Sequence, residues 1–107
     1  MECSSGGDID VESNNVEVTV TGDCEDIEID GDNNTISGGS ADMIDIEGNS
    51  NTAEADAVEE ISVDGDGNTV EVGETRAIDV EGNDNTVTYR TGDPVVETEG
   101  SNSVSAS

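Results

Sequence analysis

Residues 78–87 read Ile78-Asp79-Val80-Glu81-Gly82-Asn83-Asp84-Asn85-Thr86-Val87. Apolar and charged residues alternate over the first four positions, the pattern of a strand with one buried and one wet face. Gly82 breaks the alternation where the backbone needs a positive φ, and Thr86-Val87 resumes an extended run. The same phrase recurs as IDVESNNVEV from Ile9, IEIDGDNNTI from Ile27, IDIEGNSNTA from Ile44 and ISVDGDGNTV from Ile61. Successive starts lie 18, 17, 17 and 17 residues apart, and a degraded copy, VETEGSNSV from Val96, aligns with one deletion.

A strand–turn–strand unit this short cannot bury its apolar face alone, but in-register stacking of copies gives a continuous core. A constant period returns equivalent residues to one column, whereas an antiparallel roll or sandwich needs tight two-residue turns between paired strands. The expected fold is all-β, a right-handed parallel β-helix (solenoid) of about five to six coils with a ~17-residue repeat, the hand following that of parallel crossovers. Residues 1–8 read as a flexible linker, 9–105 as a single β-helix domain and 106–107 as a tail.

Three core columns follow. Ile9, Ile27, Ile44, Ile61 and Ile78 form the first; Val11, Ile29, Ile46, Val63 and Val80 the second; Val18, Ile36, Ala53, Val70 and Val87 the third. Coil three is expected to be weakest, with Ala53, Ala55 and Ala57 in slots that Val fills elsewhere.

Composition alone points the other way. The formal charge is −26 over 107 residues, Tyr89 is the only aromatic, and Arg76 and Arg90 are the only basic side chains. Low hydrophobicity with high charge is the signature of disorder, and only the repeat overrides it. The same charge excludes nucleic acid as a partner, since phosphate contacts need clustered Lys and Arg. No apolar run approaches the roughly 20 residues that span a bilayer.

The period also arranges the polar residues. Asn34, Asn51, Asn68 and Asn85, with Asn102 in the last copy, form one column whose amides are expected to bond from coil to coil and to tolerate a left-handed turn. Asp10, Glu28, Asp45 and Asp79 share an outward column interrupted by Ser62. Glu12, Asp30, Glu47, Asp64, Glu81 and Glu99 form another. Two unit charges one rung apart, about 4.8 Å, repel by about 0.9 kcal/mol even in water. Raised carboxylate pKa values, bridging divalent cations or concentrated salt would offset this. The lack of Lys and the small apolar residues favour salt, as in a halophile's protein.

Asp30, Asp32 and Asn34, like Asp64, Asp66 and Asn68, place oxygen ligands at alternate positions as in the opening of a calcium loop. Glu47 and Glu81 begin the corresponding turns between them. An EF-hand requires Gly at the sixth position and Glu at the twelfth, where this chain has Thr35 and Ala41, or Thr69 and Thr75. These residues are therefore candidate cation-attracting columns for calcium or concentrated monovalent cations, with no cofactor required.

No catalytic constellation emerges: there is no His, and no base stands beside a Ser or Cys nucleophile, so an enzyme is not expected. A flat Thr array of the ice-binding kind is opposed by the flanking carboxylates. Cys3 followed by Ser4-Ser5-Gly6-Gly7 reads like the mature start of a lipoprotein, which implies an apolar leader removed upstream. Cys3 is the lipidation candidate, against a free thiol or a bridge to Cys24.

The segments NNTI, NTAEA, GNTVEV and GNDNTVTYRTGDPVV, ending in EGSNSVS, resemble the domain-of-unknown-function family 3060 over about Asp8 to Ser105. The resemblance implies a secreted or lipid-anchored protein of repetitive β structure without an assigned activity, and a Cys at the position of Cys24 is frequent in such proteins. The extreme acidity departs from that pattern and indicates habitat. The expected function is a non-catalytic cell-surface or secreted structural or interaction module. A calcium-binding or carbohydrate-binding module is the alternative. Partners would be an envelope component, a glycan or another copy, with a membrane reached only through a lipidated Cys3.

Overall fold

The computed structural model describes the backbone of residues 2–92 and 94–106, with side chains from Gly7 onward in that range. Among these residues the chain forms ten strands and no helix: β1 (Glu2–Val11), β2 (Glu17–Thr19), β3 (Thr21–Asp30), β4 (Thr35–Ser37), β5 (Ser40–Asn49), β6 (Thr52–Asp66), β7 (Thr69–Asn83), β8 (Thr86–Thr91), β9 (Val95–Glu99) and β10 (Ser103–Ala106). Every pairing between them is parallel.

The register reproduces the sequence alignment. Ile9 pairs with Ile27, Ile27 with Ile44, Ile44 with Ile61, Ile61 with Ile78, and Ile78 with Val96. The chain is thus a parallel β-helix of about six turns with a ~17-residue repeat. One face stacks the ends of β1, β3, β5, β6 and β7 with β9. A second stacks β2, β4, the starts of β6 and β7, β8 and β10. A third arc joins them, and β6 and β7 run through it without a break.

The three expected core columns are buried throughout. The third arc adds residues that strand periodicity does not reveal: Val20 and Val72 at one inward position, and Cys24, Ala41, Val58 and Thr75 at another. Thr75 is tolerated inside because its hydroxyl donates to the Ala77 carbonyl. In coil three, Ala53 is buried and Ala55 partly so, but Ala57 is exposed and pairs with Glu74, so it fills no core slot. Val58 occupies the inward position instead.

The stretch ahead of Ile9, read from sequence as linker, carries strand backbone: Glu2 pairs with Thr21 and Cys3 with Gly22, with register shifts around Gly7. This segment supplies partners to the start of β3, whose backbone groups need them. The expected tail ends at Ser107, outside the described residues.

Candidate functional site: the turn columns and the acidic faces

Each coil turns sharply between its first and second faces, and the repeated polar residues meet there. Gly31, Gly48, Gly65, Gly82 and Gly100 all have positive φ, between 96° and 141°. A Cβ on any of Gly48, Gly65, Gly82 or Gly100 would overlap the carbonyl oxygen of the glycine one coil earlier; on Gly31 it would overlap that of Ser13. Backbone contact between coils therefore demands glycine beyond the demand of φ.

The Asn column lies inside. Asn34, Asn51, Asn68 and Asn85 are 0–1 % exposed. Each Oδ1 accepts a backbone N–H from the preceding coil: Val16 to Asn34 at 3.0 Å, Asn34 to Asn51 at 3.0 Å, Asn51 to Asn68 at 2.9 Å and Asn68 to Asn85 at 2.9 Å. Each Nδ2 donates to the carbonyl at the preceding glycine position, namely Ser13, Gly31, Gly48 and Gly65, at 2.7–2.9 Å. Glycine and asparagine thus form one device: the glycine lets the coils approach, and the asparagine ties the exposed carbonyl and amide together.

The left-handed conformation belongs to the residue before each Asn, not to the Asn itself. Asn33, Ser50, Gly67 and Asp84 have φ of 57–66°. A left-handed residue resets the in-out alternation, which is why the following Asn points inward. Asn and Asp tolerate this region better than other residues with a Cβ, and Gly67 takes it freely.

Both functions of the turn face the preceding coil. In coil one, Ser13 stands in place of the glycine and Val16 in place of the asparagine, and their backbone groups bond Asn34 of the next coil.

A second ladder runs outside. Oxygens of Asn14, Asp32, Asn49 and Asp66 accept the N–H of Asp32, Asn49, Asp66 and Asn83 at 2.7–3.1 Å. Acid and amide alternate along this column, so its carboxylates lie two rungs apart while the hydrogen bonds continue.

No such relief exists on the first face. Asp30, Glu47, Asp64, Glu81 and Glu99 stack on successive rungs, beside Asp10, Glu28 and Asp45. The Asp10 charge pushes the Glu28 carboxyl above its ordinary range, with smaller effects of desolvation and of Asp45, Glu47 and Asp30. Partial burial raises Asp45, aided by Asp64. Glu99 raises Glu81 most, followed by Asp79 and Asp64, desolvation, and a side-chain hydrogen bond to Glu99.

The eight candidate cation residues fall into three places. Asp30, Glu47, Asp64 and Glu81 form the exposed column on the first face. Asp32 and Asp66 lie in the outer turn ladder, each with an oxygen on the next coil's backbone. Asn34 and Asn68 point into the core with both ends of the amide bonded, so they do not converge with the acids. Among the described residues, no group of three or more His, Cys, Asp or Glu side chains is arranged to hold a metal ion.

Both cations sit in shallow grooves lined by acids: Arg90 with Glu54, Asp56 and Glu71, and Arg76 with Asp42, Glu59 and Glu74. Cys24 is buried and disulfide-bonded. The lipidation candidate Cys3 has its side chain outside the described residues. No helix among the described residues is long and apolar enough to cross a membrane.

A model for a family described as "protein of unknown function" matches residues 11–57 and again 46–102. The two matches start two coils apart, as expected when one repeat fits in more than one frame. No curated protein and no solved structure matches the chain.

Proposed function

From the premise that the chain belongs to the DUF3060 family, we propose that it is a non-catalytic structural or interaction module of the cell surface or the secreted fraction, adapted to high salt. The observation that carries this reading is the use made of the repeated polar residues. The Asn column is buried and fully engaged in holding coils together, leaving carboxylates as the repeated outward chemistry. A flat, acidic-faced block of stacked coils suits display in a medium whose cations screen it. The Cys24 disulfide supports an oxidising location, where such bonds persist.

Calcium titration by calorimetry and a glycan array, both in molar KCl, test the reading against its alternative. Absence of saturable heat and of glycan signal is expected. A stoichiometric calcium heat or a defined glycan signal would replace the scaffold with a binding module.

A further inference from the structure

Each turn between the first and second faces carries two ladders, and the residue between them serves neither. In coil two, Asp32 accepts the Asn49 N–H in the outer ladder, while buried Asn34 engages both ends of its amide in the inner one. Asn33 stands between them in the left-handed conformation, at φ 58°. Its backbone is held, the N–H donating to the Asn49 carbonyl at 3.1 Å. Its side chain is exposed and makes no hydrogen bond among the described residues. Asn33-Asn34-Thr35 is also the one Asn-x-Ser/Thr triplet in the sequence. The later coils keep a hydroxyl residue two places on, but have Ser50, Gly67, Asp84 and Ser101 where Asn33 stands. In coil one Asn15 is exposed and left-handed too, at φ 61°, yet Glu17 replaces the hydroxyl residue. Among the described coils, coil two alone joins an exposed turn amide to a hydroxyl at that spacing.

We propose that Asn33 is an N-glycosylation site, whose sugar donor is a glycan carried on a polyprenyl phosphate or pyrophosphate. The triplet is the acceptor signal for this modification, and it belongs on a surface turn of an exported chain. In the transfer, the Asn33 Nδ2 attacks the anomeric carbon of the glycan. A C–N bond forms, the C–O bond to phosphate breaks, the lipid phosphate leaves with that electron pair, and Nδ2 gives up one proton. The product fits the fold without rearrangement, because neither ladder uses the Asn33 amide. The equivalent residues one coil away on either side, Asn15 and Ser50, are exposed as well, so the sugar extends into solvent. This inference rests on the export proposed above, which the Cys24 disulfide supports.

Mass spectrometry of the full chain, recovered from the cells that make it and from their medium, tests the site. Cleavage after glutamate yields the peptide Ile29–Glu47, which should carry sugar on Asn33. Asn33→Asp introduces the residue that coil five has at this turn, where Asp84 adopts φ 58°, so the fold is kept while the acceptor is lost. Thr35→Val keeps a β-branched strand residue and loses the hydroxyl. Both variants should be exported without sugar on this peptide, and Thr35→Ser should retain it. Ser50→Asn completes the triplet one coil on and should gain a second glycan there. An exported chain with bare Asn33, sugar that persists in Asn33→Asp, or no second glycan in Ser50→Asn would overturn this proposal and leave the location reading standing. A chain found only inside the cell with bare Asn33 would overturn both.

Discussion

Replacing Asn68 by Ala removes one rung of the buried ladder and strands two backbone groups. The Asn51 N–H loses its acceptor at 2.9 Å, and the Gly48 carbonyl loses its donor at 2.9 Å. Asn68 is 1 % exposed, so water cannot readily replace either bond. A buried polar group left without a partner costs about 1–3 kcal/mol, so the pair should cost about 2–6 kcal/mol. Against a domain stability of about 5–15 kcal/mol, that is a large fraction. The assay is urea unfolding by circular dichroism in molar KCl, where the acidic faces are screened. With a slope of about 1–3 kcal/mol per molar urea, the midpoint should fall by at least about 0.7 M. The control is Asn49→Ala in the preceding coil, whose Oδ1 also accepts a backbone N–H, at 3.1 Å, but in solvent. Water substitutes there, and the change should stay within about 0.5 kcal/mol. Asn68→Asp adds a further check, because an ionised carboxylate cannot donate to the Gly48 carbonyl; the variant should be destabilised at neutral pH and partly rescued when acid protonates it. Equal costs for Asn68→Ala and Asn49→Ala would refute the claim that burial gives the ladder its strength.

Gly65→Ala would drive a methyl group into the Gly48 carbonyl oxygen and should abolish cooperative unfolding or shorten the folded stack, whereas Ser13→Ala should leave the urea midpoint unchanged within about 0.5 kcal/mol; a tolerated Gly65→Ala defeats the close-approach account. Glu28, Asp45 and Glu81 have raised pKa values when folded, so folding takes up protons. Stability in dilute buffer should rise as pH falls from about 7 through those raised values, the gain being complete below the ordinary carboxylate range of about 3.9–4.3; a midpoint that drops between about pH 7 and about pH 5 contradicts this sign. KCl should raise the melting temperature. Asp45→Asn should raise it in dilute buffer and lose most of that advantage in molar KCl, and an equal advantage at both salt levels would mean that charge repulsion is not the cause.

The 17-residue spacing and the Ile/Val alternation by themselves determined the stacked parallel strands, their register and the three main core columns. Each is a property of local strand geometry multiplied by a fixed period, so a single chain carries the whole signal. The acidic columns were legible for the same reason. The third arc was not: Cys24, Ala41, Val58 and Thr75 share an inward position, but their types differ too much to display a period. Nor could the sequence show that Asp30, Asp32 and Asn34 diverge. Alternation counts faces only along an unbroken strand, and the left-handed residue at Asn33 resets the count. Only the three-dimensional path of the turn put Asn34 in the core, with its amide bonded to backbone one coil away. The same path gave the ladder its direction, each asparagine bonding the backbone of the coil before it.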